Sequence, residues 1–156
     1  MKGNNIMIII LVMILILVLI TGVVIGYYNY NSNHRSEQAE FNNGTVSREL
    51  PNGLYNGSAT IAIGSWLGKS FDSAAKTGVN RFADGERYTF SMYRGKGLTD
   101  SREVIKIDYN QPSNPWWLKF VTDEIVQVAP NEYLGKIQVG VVPGLPVTVG
   151  YFRLNR

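Results

Sequence analysis

With no cysteine and one histidine, His34, among its 156 residues, the chain can hold no disulfide, thiolate nucleophile, thiolate metal site or cluster of His ligands. Its formal charge of +3 includes Lys2 near the amino terminus, and the remainder is too evenly mixed to offer nucleic acid a basic patch. Most acid–base, nucleophilic and metal-assisted mechanisms lose their usual residues, so the expectation is a protein that is not an enzyme and has no cofactor.

Residues 1–5 form a short polar tail. From Ile6 to Tyr28 no residue is charged, and the run exceeds the roughly 20 residues that cross a hydrocarbon core of about 30 Å. The run is longer than the core of a secretory leader and no A-x-A-like cleavage site follows it, so it is expected to be a retained single-pass anchor in a lipid bilayer. Tyr27, Tyr28 and Tyr30 suit the headgroup layer. Lys2 opposes Arg35 and Arg48 across the segment, and charge counting favours by a small margin a domain on the non-cytoplasmic side.

Residues 29–49, NYNSNHRSEQAEFNNGTVSRE, are polar and nearly without aliphatic side chains. Alone they cannot bury enough surface to fold, which predicts a flexible linker that holds the rest about 25 Å from the bilayer. His34 is then a solvated linker residue.

Residues 50–156 have the size of one small domain. After the turn signal Leu50-Pro51-Asn52-Gly53, alternation places Gly57, Ala59, Ile61 and Ile63 on one face of a strand. Asp72 and Gly78 read as the start and stop of a helical turn or two. Tyr88, Phe90 and Met92 alternate with polar neighbours, as do Ile105, Ile107 and Tyr109 beyond the turn Gly95-Lys96-Gly97. Trp116 to Phe120 reads as a short strand, followed by 124–128, 132–142 and 147–154. About eight short strands at close spacing predict an all-β fold, a small antiparallel barrel, with a sandwich as the alternative.

Adjacent Asp123 and Glu124 point to opposite faces of a strand and read as a turn or solvated edge rather than paired catalytic carboxylates. Gly95-Lys96-Gly97 has no helix after it and reads as a hairpin turn rather than a phosphate loop. Trp66, Trp116, Trp117, Tyr133 and Phe152 exceed what a small core needs and are the candidate ligand- or partner-binding residues. Of neighbours Trp116 and Trp117, one faces inward and the other lines a mouth, a membrane or a partner. An eight-stranded barrel can be filled by side chains or left open for one small ligand. Tyr88, Phe90, Met92, Ile105, Ile107 and Tyr109 are expected to fill much of it.

Gly64-Ser65-Trp66 resembles the G-x-W that lipocalins carry near the start of their barrel, and Ile107-Asp108-Tyr109 resembles their T-D-Y. The resemblance implies that Arg153 or Arg156 packs against Trp66, although here a strand pattern precedes the G-x-W. The chain is also similar to small uncharacterised bacterial proteins that look like compact lipocalins, through Leu50 to Gly57, Trp66-Leu67-Gly68-Lys69, Lys106 to Tyr109, Asn114-Pro115-Trp116-Trp117, Asp123 to Val126 and Tyr133 to Lys136. That likeness implies a lipocalin-like barrel and brings no activity. Two functions fit: a membrane-anchored binding module for an apolar small molecule or lipid, or a structural protein tethering a membrane to a larger protein assembly, such as an envelope complex or the capsid of a membrane-containing virus.

Overall fold

The structure is a computed structural model that describes residues 2–156, with side chains from Ile6 onward. Two helices, α1 (Lys2–Asn33) and α2 (Ser36–Asn43), precede strands β1 (Gly53–Ala59), β2 (Trp66–Asp72), β3 (Thr77–Phe82), β4 (Gly85–Lys96), β5 (Glu103–Asp108), β6 (Val121–Ala129), β7 (Glu132–Val139) and β8 (Val147–Asn155). The strands close into one barrel in sequence order, each antiparallel to its neighbours. β8 returns to β1 from Asn56↔Asn155 to Ala59↔Phe152, so no edge is left unpaired. The antiparallel barrel is therefore the fold, and the sandwich is not. Met1 lies outside the described residues; the rest of the expected tail is helical, since α1 begins at Lys2. α1 carries an apolar stretch long enough to cross a membrane, and its side chains are exposed along that length.

Four local expectations change. Asp72 starts a turn and not a helix: its Oδ1 accepts the Ala75 N–H at 2.9 Å, and Lys76 reverses the chain at φ 56°. An Asp side chain serves a turn as readily as a helix start. The segment Trp116–Phe120 is a 3-10 helix, not a strand, closed by the Leu118 N–H on the Pro115 carbonyl at 3.0 Å. β1 stops at Ala59, leaving Ile61 and Ile63 in a loop, and β7 stops at Val139. Gly95 and Lys96 complete β4, where Lys96 pairs with Glu103 at 2.8 Å, and the turn that follows begins only at Gly97.

The expected flexible linker is replaced by a strap. Residues 29–49 continue α1, form α2 and then pair with the barrel, where the Thr45 and Gln127 backbones exchange hydrogen bonds of 2.9 and 2.7 Å. Phe41, fully buried, forms a second core with Val104, Val126, Leu134 and Tyr151 on the outer face of the barrel. The chain lies so close at Gly44 that a Cβ there would come within 2.4 Å of Val126 Cγ2. Arg153 binds Glu40 and, at 3.2 Å, Glu132. One aromatic anchor suffices because the strands already present an apolar outer face; the segment cannot fold alone, and it does not have to.

Beneath the strap, the Tyr151 hydroxyl donates to Gln38 Oε1 at 2.7 Å and lies 3.1 Å from the Ser32 carbonyl. Burial, with the charge of Glu37 adding to it, pushes this phenol up to about 12. A folded-state value above the ordinary 10 gives stability that is complete below pH 10 and lost as pH rises from 10 to 12. The loss amounts to about 2 to 3 kcal/mol. Hydrogen exchange in residues 29–49 should therefore accelerate between pH 10 and 12 beyond its intrinsic rate, and Tyr151→Phe should remove that excess; an unchanged excess in the variant would place its origin elsewhere.

Inside, the barrel is filled at one end only. Tyr55, Phe71, Phe90, Met92, Ile105 and Tyr133 belong to the packed interior, with aromatic contacts running edge to face from Tyr133 to Tyr55 to Phe71 to Phe90. The expected filling of the interior by large side chains holds for this half.

Candidate functional site

The other half of the barrel is open. A cavity of about 410 Å³ lies where β1, β3, β5 and β7 end and β2, β4, β6 and β8 begin. That volume is within the range of small-molecule sites. Its walls are chiefly apolar and aromatic: Trp66 from β2, Phe82 from β3, Tyr88 from β4, Trp117 from the 3-10 helix, Ile137 from β7 and Phe152 from β8. The rings hold one another edge to face, with Trp66 5.9 Å from Phe152 and Tyr88 6.0 Å from Trp117. Tyr88 adopts φ 64° beside the register shift between Val79 and Asn80, an uncommon backbone conformation for a bulky residue.

The cavity floor is polar. Lys69, 2% exposed, donates to Asp123 Oδ2 at 3.0 Å, to Asn80 Oδ1 at 2.8 Å and to the Tyr109 hydroxyl. Tyr109 in turn donates to Asp123 Oδ2 at 2.8 Å and accepts from Asn80 Nδ2 at 3.1 Å. Asn80 Oδ1 also accepts the Trp66 indole N–H at 3.0 Å, which ties the aromatic wall to the floor. The ammonium lies 5.0 to 5.6 Å from the ring centroids of Phe152, Tyr109, Phe90 and Trp66, within cation–π range.

Burial pulls the Lys69 ammonium below its ordinary range, and the Asp123 carboxylate opposes that shift. The Tyr109 phenol is pushed well above its ordinary value by burial and then by the charge of Asp123. All three ammonium protons are engaged, so Lys69 is a held structural cation rather than a free nucleophile. Both bonds to Asp123 fall on Oδ2, leaving Oδ1 as an acceptor at the cavity wall.

Of the five residues singled out by sequence, the fold brings three together in this cavity: Trp66, Trp117 and Phe152. Trp116 sits outside on the rim, 72% exposed, with its ring against Phe120. Tyr133 is in the filled half against Tyr55. Asp123 and Glu124 do face opposite sides of β6, but the solvated-edge reading fails because both are buried. Asp123 joins the floor, whereas Glu124 accepts the Leu98 N–H from the β4–β5 loop at 2.5 Å and lies 3.6 Å from Lys136. Neither candidate arginine packs on Trp66. Arg153 faces α2, and Arg156 donates to the Asn52 carbonyl at 3.0 Å, so Lys69 is the cation beside this indole.

Lys69, Asn80, Tyr109 and Asp123 were not foreseen as one constellation. Their signal was parity: Lys69 falls in step with inward Phe71, and Asp123 with inward Ile125. Two opposite charges at inward positions of different strands point to a buried pair.

No protein family matches the chain, and no curated protein or solved structure is significantly similar to it, so the lipocalin-like description rests on the closed barrel with its apolar amino-terminal helix.

Proposed function

We propose that the chain is a single-pass membrane protein whose barrel is a non-catalytic binding module for an apolar small molecule or lipid, with its folded domain on the non-cytoplasmic side. The observation that carries this reading is the half-filled interior: an aromatic cavity of about 410 Å³ above a hydrogen-bonded polar floor. Walls of this kind remove an apolar body from water, and a few fixed polar groups orient it. The free Asp123 Oδ1 favours a ligand whose polar end donates a hydrogen bond, such as a long-chain alcohol, over one that ends in a bare carboxylate. Binding rather than reaction is favoured because the cavity lysine has every proton engaged, and because His34 is stacked on Tyr30 at 4.1 Å, outside the barrel. The structural reading loses one of its supports, the flexible tether, since residues 29–49 are packed on the barrel.

Native mass spectrometry of the full chain released from nanodiscs should show one apolar adduct per chain. Val121→Phe with Ile137→Phe, which fills the cavity from two walls, should remove it and weaken binding of a bromine-labelled fatty alcohol at least tenfold, about 1.4 kcal/mol. A natural chain that carries no adduct and shows no tryptophan quenching by that alcohol would refute the reading.

A further inference from the structure

The open end of the barrel and the apolar helix lie on the same side of the domain. Tyr27 and Tyr28 of α1 border a cleft with Val149 and Gly150, early in β8, while Ser32, further along α1, meets Tyr151. The chain then runs toward the filled end, where Glu40 meets Arg153 and Thr45 meets Gln127. Helix and β8 thus advance in the same direction. Followed backwards, α1 leaves past the end where β8 begins, which is the end where the cavity opens.

The rim beside α1 is apolar and exposed. Val141 and Leu145, in the loop between β7 and β8, are 64% and 52% exposed, and that loop lines a cleft with Asn29 and Asn33 at the end of α1. The 3-10 helix adds Trp116 and Phe120, joined to the same loop by the Gly140 N–H on the Phe120 carbonyl at 2.8 Å. Across the barrel, the β3–β4 turn carries the exposed pair Asp84 and Arg87. A rim apolar next to the anchor and charged opposite it matches a barrel tilted onto a bilayer surface.

We infer that this arc of the rim, Trp116, Phe120, Val141 and Leu145, is a membrane-docking surface that enters the headgroup layer of the leaflet around α1. The barrel mouth then opens onto lipid, and the cavity exchanges its occupant with that leaflet without passage through bulk water. This rests on α1 being the anchor of the binding module proposed above. The occupant of the rim is lipid because α1 beside it carries Tyr27 and Tyr28, suited to the headgroup layer, and its apolar stretch leaves the domain past this same end.

Because the chain has no cysteine, single labels can be placed cleanly. Val141→Cys, Leu145→Cys and, at the opposite end, Ala74→Cys would each carry an NBD fluorophore on the full chain in phosphatidylcholine vesicles. Doxyl-labelled phosphatidylcholine should quench the first two at least twofold and leave the third unchanged. Equal, weak quenching at all three sites overturns the inference. So does a blue shift at 141 and 145 without doxyl quenching, which would mean that a protein covers the rim. The readout is independent of cavity contents: quenched labels on a chain with no adduct would keep the docking surface and refute only the binding reading.

Discussion

An Asp123→Ala chain should be about 3 to 5 kcal/mol less stable than the natural one at pH 7. The substitution leaves an ammonium group at 2% exposure without its counter-ion, while Tyr109 and Asn80 remain as neutral partners. The cost is that of a stranded charge rather than the net value of the pair, so removing both charges should be far milder. Lys69→Met with Asp123→Leu should recover most of the loss, with the satisfied pair replaced by apolar packing of similar volume. The pH dependence adds a second check. A lysine whose folded value lies below its unfolded one binds fewer protons when folded, so its contribution to stability rises with pH until the unfolded value of about 10.5 is passed. Loss of Asp123 removes the charge that opposes this shift, widening the window, and the deficit of Asp123→Ala should shrink as pH rises from 7 to 9.5. Tyr109 titrates above that range. Denaturant unfolding of the full chain in micelles, followed by tryptophan emission, measures each quantity. A deficit below about 1 kcal/mol at pH 7 would show that water reaches the floor.

Phe41→Ala should release the strap while the barrel stays closed. The side chain is fully buried on the outer face of the strands, and truncation of a phenylalanine in such a site costs about 3 to 5 kcal/mol. Most of this should appear locally, because the other ties of the strap to the barrel, the Arg153–Glu40 pair, the Gln38–Tyr151 bond, Arg102 on the Phe41 and Asn42 carbonyls and the Thr45 bridge, are polar. Amide protection in residues 36–45 should fall by about two to three orders of magnitude, at about 1.4 kcal/mol per tenfold, with protection in β4 and β5 retained. The truncation also takes from Lys136, fully buried, a ring 4.4 Å from its ammonium. Arg153→Ala offers a contrast: its pair with Glu40 is more than a third exposed, and its loss should cost no more than about 1 kcal/mol. Residues 36–45 already unprotected in the natural chain would contradict the strap.

The barrel was legible in sequence because closure needs only alternation and turns, and Phe90, Met92, Ile105 and Ile107 supply both. β3 shows no alternation in the sequence because its inward positions are Gly78, Asn80 and Phe82, of which only the last is a large apolar residue. Gly78 is required by packing, since a Cβ there would meet the Phe90 ring at 2.4 Å, and such a constraint leaves no hydrophobic period to detect. The strap escaped for a related reason: its anchoring surface, Val104, Val126 and Leu134, lies 63 to 93 residues beyond Phe41. At the site, aromatic excess pointed to Trp66, Trp117 and Phe152, which line the cavity. It also led to Tyr133, which shares their chemistry and packs in the filled half. The polar floor depends on β2, β3, β6 and the residue just after β5 meeting, which no local window contains.

If α1 spans a bilayer as proposed, its direct joining to the barrel makes bilayer thickness a variable of the proposed binding site. A tethered domain would be indifferent to the lipid beneath it. Here the last turns of α1 are bonded to β8 through Tyr151 and continue into the strap, so the helix cannot tilt without tilting the mouth. In the proposed setting, hydrophobic mismatch, which a membrane helix relieves by tilting, becomes a lever on how deeply Val141 and Leu145 enter the leaflet. Membranes that differ by a few ångströms in thickness would then present the same cavity with different access to its ligand.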